Sequence, residues 1–131
     1  MRRMPLGRLS LVVAIVAVAV LLAGALALRA QGPVTVASQA FTVKLDNEHV
    51  RVLQYHSKPG EKEAMHSHPA CVIYIVIGGT LRFTFPDGKT QDAVFKPGDT
   101  LWREATTHSV ENVGKTEVRG ILVEMKGGSK S

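Results

Sequence analysis

Two of the five histidines stand one residue apart, at His66-Ser67-His68, and a third sits at His108. In an extended strand, residues two apart project to one face, with Cβ atoms about 7 Å apart. Two imidazoles so placed can converge on one metal ion at bond lengths of about 2.1 Å, and a third from a neighbouring strand completes a facial set. Three neutral imidazoles leave coordination positions open for water, substrate or dioxygen, which separates catalytic from closed structural sites. An H-x-H pair by itself suits surface histidines beside a turn equally well, so the surrounding pattern has to decide.

That pattern is one of short strands. Residues 41–45 alternate apolar and polar, 49–56 alternate again, and 72–77 form a β-branched run that Gly78-Gly79 bends into 81–85. Residues 90–95, 100–103, 108–113 and 116–125 continue the series. Lys58-Pro59-Gly60, Pro86-Asp87-Gly88-Lys89 and Lys96-Pro97-Gly98-Asp99 carry turn chemistry between them. Eight or nine strands with turns at regular spacing, and no helix after residue 30, predict an all-β sandwich or barrel. With aromatics at 5%, its core must come from Val, Ile and Leu.

Gly60-x(5)-His66-x-His68-x(3)-Val72-x(6)-Gly79, then Pro97-Gly98-Asp99, then His108-x(3)-Asn112, resembles the two signature motifs of the cupin superfamily over residues 41–125. The resemblance implies a small jelly-roll β-barrel that binds one divalent metal through its motif histidines. His66 and His68 match the ligand pair of the first motif and His108 the ligand of the second, whereas Asn112 matches a structural position. Two departures stand out. The first motif's usual fourth ligand, a glutamate, is replaced by Val72, or by Ile73 if the spacing is one longer. Arg103 and Ala105 stand where the second motif usually has proline and glycine. Without the carboxylate the site favours Fe, Ni or Zn over Mn(II), since borderline ions tolerate an all-imidazole set. Three-histidine sites within the superfamily occur among thiol dioxygenases.

Four residues are candidates for a substrate pocket. Tyr74 shares a face with Val72, and Trp102 would wall the barrel mouth. Arg82 and Arg103 could each grip a carboxylate through two parallel hydrogen bonds. Glu63, Glu111 and Asp99 read as solvated loop and turn acids, although each has the chemistry of a ligand or base. Cys71 should point away from Val72, and His49 and His56 lie outside the motifs, on the surface. A lone cysteine excludes an intramolecular disulfide and a Cys-only zinc site.

The net charge of +5 is misleading until it is located. Residues 1–30 carry four arginines and no acid; the remainder holds 12 basic and 11 acidic residues, so nucleic-acid binding has no electrostatic support. Arginines before an apolar run over residues 9–28 describe a hydrophobic leader helix, either a cleaved signal peptide or an N-terminal transmembrane anchor. The expected organisation is therefore leader 1–30, linker 31–39, cupin-like barrel 40–126 and flexible tail 127–131. The domain is expected to be exported (periplasmic or extracellular) or tethered to the membrane only by its leader. Its function would be metal-dependent chemistry on a small molecule, of dioxygenase type with iron and isomerase or lyase type with zinc or nickel. The alternative is a non-enzymatic module that binds a small ligand or metal. A structural jelly roll forming a homodimer through an edge strand ranks third.

Overall fold

The structure, a computed structural model, describes residues 31–127; the leader and the end of the tail lie outside the described residues. One turn of helix, α1 (Pro33–Val36), precedes nine strands: β1 (Phe41–Asp46), β2 (Val50–Ser57), β3 (Lys62–His68), β4 (Cys71–Ile77), β5 (Gly79–Thr84), β6 (Thr90–Phe95), β7 (Thr100–Arg103), β8 (Thr106–Asn112) and β9 (Val118–Met125). They form two antiparallel sheets, ordered β1-β2-β9-β4-β7 and β3-β8-β5-β6. The chain changes sheet at almost every connection after β2, which interleaves the two layers in the manner of a jelly roll. Among the described residues no helix is long and apolar enough to cross a membrane.

Alternation builds the interior. Leu53, Tyr55 and Ser57 of β2, Cys71, Ile73 and Ile75 of β4, and Val118, Gly120, Leu122 and Glu124 of β9 all face inward. Leu81, Phe83 and Val110 meet them from the second sheet. The three Gly-containing turns fall where the sequence predicts them. Gly60, Gly88 and Gly98 adopt φ of 81°, 83° and 88°, a left-handed backbone that suits glycine. Asp99 closes its turn by accepting a hydrogen bond from the Lys96 amide at 2.7 Å.

Residues 31–39 are packed against the domain and include the one short helix that the strand pattern did not anticipate. Pro33 sits at the start of α1, where its fixed φ favours a helical turn. Ala37 is fully buried, and the Gln31 carbonyl accepts a hydrogen bond from the Ser67 amide at 3.2 Å. Since β3 is the outer strand of its sheet, this segment covers an edge that would otherwise be open, at the residue between the two paired histidines.

Gly78 shows how closely the start of β5 and the end of β6 approach. A Cβ there would lie 2.2 Å from the Phe95 carbonyl oxygen and 3.0 Å from the Lys96 Cα. Gly78→Ala should therefore force the β5–β6 hairpin to shift and lower stability by about 1–3 kcal/mol. Equilibrium urea unfolding measures this, and a value equal to the parent's would mean that the hairpin opens freely.

Candidate metal centre

Antiparallel pairing of β3 with β8 sets His66 directly opposite His108, and His68 follows two residues along the same face. The His66 ring stands edge to face with His68 and His108, at centroid distances of 4.8 and 5.0 Å, and the His68 and His108 rings are tilted by 57° at 5.4 Å. All three are buried, and one nitrogen from each lies within 4.8 Å of the others. The histidines singled out in the sequence are thus brought together as one candidate ligand set.

Hydrogen bonding selects which nitrogen the His66 and His68 rings offer. His66 donates from Nδ1 to the Ala64 carbonyl at 2.7 Å, turning Nε2 inward, where it is buried without a partner. His68 donates from Nδ1 to Glu124 Oε1 at 2.7 Å, again leaving Nε2 as the free donor atom. Arg51 holds the other oxygen of Glu124 through Nε at 2.7 Å and a terminal nitrogen at 2.6 Å. Burial alone would raise the Glu124 carboxyl, but the bonds to His68 and Arg51 outweigh it and keep it below the usual range, so it stays ionised. Burial pushes His66 down to about 4. It also pushes His108 far down, with the Arg103 charge adding to the effect. Unprotonated imidazole nitrogens are what a divalent transition metal requires, which burial provides at His66 and His108, and the orphaned His66 Nε2 has no hydrogen-bond partner among the described residues.

Glu63 differs from its expected place in a solvated loop. It lies on β3, three residues before His66, and a regular strand would turn it to the opposite face. The β3–β8 register shifts between Glu63 and His66, and this bulge points both side chains inward. Glu63 is only 3% exposed, and Tyr55 donates its hydroxyl proton to Oε1 at 2.6 Å. Burial lifts the Glu63 carboxyl to about 7, against the opposing pull of the Tyr55 hydrogen bond. Glu111 and Asp99 do stay out of the site: one reaches Lys62 at 3.6 Å and the other caps its turn.

Of the four pocket candidates, Arg103 alone lines the cavity. It borders both an inner cavity of about 40 Å³ that contains Tyr55, Glu63, His68 and Ile73, and an outer pocket of about 370 Å³ walled by Phe83, Phe85, Gln91, Glu104, Thr106 and His108. Its guanidinium stacks 4.7 Å from the Phe83 ring centre. The other three are corrected by the structure. Arg82 points outward because Leu81 and Phe83 take the inner face, and it pairs with Asp92 at 2.7 and 2.8 Å. Tyr74 and Trp102 are 48% and 57% exposed on the outer face of their sheet, and the Trp102 indole donates to Glu104 at 2.6 Å. Val72 faces outward with them, so the inward residue at the missing glutamate's slot is Ile73.

The sequence profile of the Cupin domain family matches residues 53–124. The chain belongs to the cupin family. A cupin domain from Bordetella pertussis Tohama I is 29% identical, with a TM-score of 0.61 over 66% of this chain and 92% of its own. A protein with a double-stranded β-helix domain from Klebsiella pneumoniae subsp. pneumoniae MGH 78578 is 22% identical, with a TM-score of 0.54 over 67% of this chain and 76% of its own. The polyketide cyclase RemF from Streptomyces resistomycificus, 17% identical, has a TM-score of 0.50 over 66% of this chain and 64% of its own. The last two share the fold. No curated protein sequence matches significantly.

Tyr55 and Glu124 were not anticipated as members of the site. For Glu124 a signal was present: it continues the inward row Val118, Gly120 and Leu122, and an acid on an apolar face needs a buried partner. Tyr55 continues the row from Leu53 but gives no sign of the carboxylate it will meet. Glu124→Gln keeps the shape while removing the charge between His68 and Arg51. Metal affinity should fall about 10–100-fold, read by competition with a chromophoric chelator in a variant whose circular dichroism is unchanged. Unaltered affinity would show that His68 needs no such support.

Proposed function

We propose that this cupin holds one divalent transition metal at His66, His68 and His108 and uses it to act on a small anionic molecule entering from the outer pocket. The observation that carries this reading is the convergence of three buried imidazoles, each kept neutral or carboxylate-oriented, beside an arginine with no carboxylate of its own. Arg51, Arg82 and Arg119 each reach an acidic side chain, whereas Arg103 forms no such ion pair among the described residues. A half-buried guanidinium facing a pocket favours an anionic guest, and its two parallel N–H groups match a carboxylate, while the pocket's own carboxylate, Glu104, accepts from the Trp102 indole. Phe83 holds the guanidinium in place, and the aromatic walls of Phe83 and Phe85 would exclude water around the apolar part of the guest.

A bound ion would supply Lewis acidity, or redox chemistry if it were iron. Arg103 would fix the guest's carboxylate, and His108 at the pocket wall would set how near the guest comes to the ligand cluster. With iron the reaction would be an oxygenation, and with zinc or nickel an isomerase or lyase step. As part of the same proposal, the arginine-flanked leader would place the domain outside the cytoplasm. A binding module without turnover is the second reading, favoured by the apolar Ile73 in the slot where the family usually keeps a glutamate.

Elemental analysis of the purified chain should find close to one equivalent of a first-row transition metal, lost in a folded His66→Ala/His108→Ala variant. Equal metal content in parent and variant would overturn the reading. Arg103→Gln in the Ni(II)-loaded protein should weaken binding of benzoate, used as a probe carboxylate in calorimetry, by about 10–100-fold, the worth of a hydrogen bond to a charged group. Equal affinity would remove Arg103 from anion binding.

A further inference from the structure

The carboxylate missing from the family position has a counterpart elsewhere in the barrel. Glu63 Oε2 and His66 Nε2 are both sealed from solvent, neither has a hydrogen-bond partner, and they face each other at 4.0 Å. Two orphaned buried polar atoms in one place call for a shared partner, because each alone carries the full cost of lost hydration. Around an ion with bonds of about 2.1 Å, donor atoms lie from about 3 Å apart when adjacent to about 4.2 Å when opposite, so this one spacing suits a common ion. Glu63 stands outside the three imidazole nitrogens that come within 4.8 Å of one another, so its carboxylate would have to close on that set as an ion binds.

We propose that Glu63 is the fourth, anionic ligand of this metal centre, delivered by the β3 bulge from three residues before His66 in place of the usual glutamate four or five residues after His68. The proposal rests on the three-histidine metal reading above. Three features support it. The bulge gives Glu63 and His66 a common face despite their odd separation. Tyr55 occupies Oε1 at 2.6 Å, which leaves Oε2 as the atom available and fixes its direction, as outer partners of ligating carboxylates do. Ile73, inward at the usual slot, lines the same inner cavity as Glu63 and offers it no competing donor. The negative charge has moved from β4 to β3 and still belongs to the site.

The move has a consequence for the metal. Three imidazoles alone discriminate against Mn(II), whereas an added carboxylate oxygen restores affinity for it. The departure at Val72/Ile73 therefore does not imply an all-nitrogen site.

The test uses the full chain and metal alone. Mn(II) binding is read from loss of the free-ion electron paramagnetic resonance signal, and Ni(II) binding by chelator competition. Glu63→Gln should weaken Mn(II) binding at least about tenfold more than Ni(II) binding and shift the visible absorption of the Co(II) form. A folded Glu63→Gln protein with an unchanged Mn(II)-to-Ni(II) ratio would overturn the assignment while leaving the histidine site intact. If Glu63→Gln does not fold, Glu63→Asp decides: it keeps the charge but withdraws it by one methylene, and the same fall in the ratio is expected. Failure of the underlying reading looks different, since His66→Ala/His108→Ala would then bind Ni(II) as well as the parent.

Discussion

The pairing of β3 with β8 is the constraint on which the site depends. It joins two segments distant in the chain so that His66 meets His108, and its bulge sets the phase of everything before His66. The strand is an outer one, so its position relies on β8 on one side and on residues 31–39 on the other, with the Gln31 carbonyl tied to the Ser67 amide. A slip of one residue would turn both paired histidines outward together, because side chains alternate with period two. The site and the register are one specification.

The interior contains more polarity than a barrel of this size accommodates without arrangement. Three imidazoles, two carboxylates and a phenol are buried against a core of Leu, Ile, Val and Phe. Unpaired, each would cost several kcal/mol on burial. Most are satisfied in short chains: Arg51 to Glu124 to His68 on one side, Tyr55 to Glu63 on the other, and Ala64 beneath His66. Their burial also keeps His66 and His108 unprotonated at neutral pH, so no proton need be displaced before they can bind a cation. By contrast, the Arg82–Asp92 pair is exposed and adds little to stability.

The outer pocket and the inner cavity meet at Arg103 and Phe83. The outer side carries the polar rim, and the inner side carries Glu63 and Tyr55 among apolar neighbours. Such a division suits a small guest with one charged end: the guanidinium at the boundary can hold the charge while the ligand cluster lies beside it.

The sequence by itself determined the strands, the three glycine turns and the histidine set, because period-two alternation and turn chemistry are local properties of a few residues. It also carried the family's motif spacing, and with it the match over residues 53–124. Orientation was legible only where one face of a strand was plainly apolar. In β4 both faces are apolar, Cys71, Ile73 and Ile75 against Val72, Tyr74 and Val76, so only the second sheet decides that the first set is inside. Tyr74, which shares a face with Val72, lies outside the pocket for that reason, and Trp102 of β7 lies on the same outer side. Glu63 was hidden differently: the bulge adds one residue to β3, which reverses the alternation, and nothing local marks it. Tyr55 and Glu124 acquire their roles by meeting residues from other strands. Local patterning sets which side chains can share a face; the packing of two sheets decides which face is enclosed and what each buried polar atom finds there.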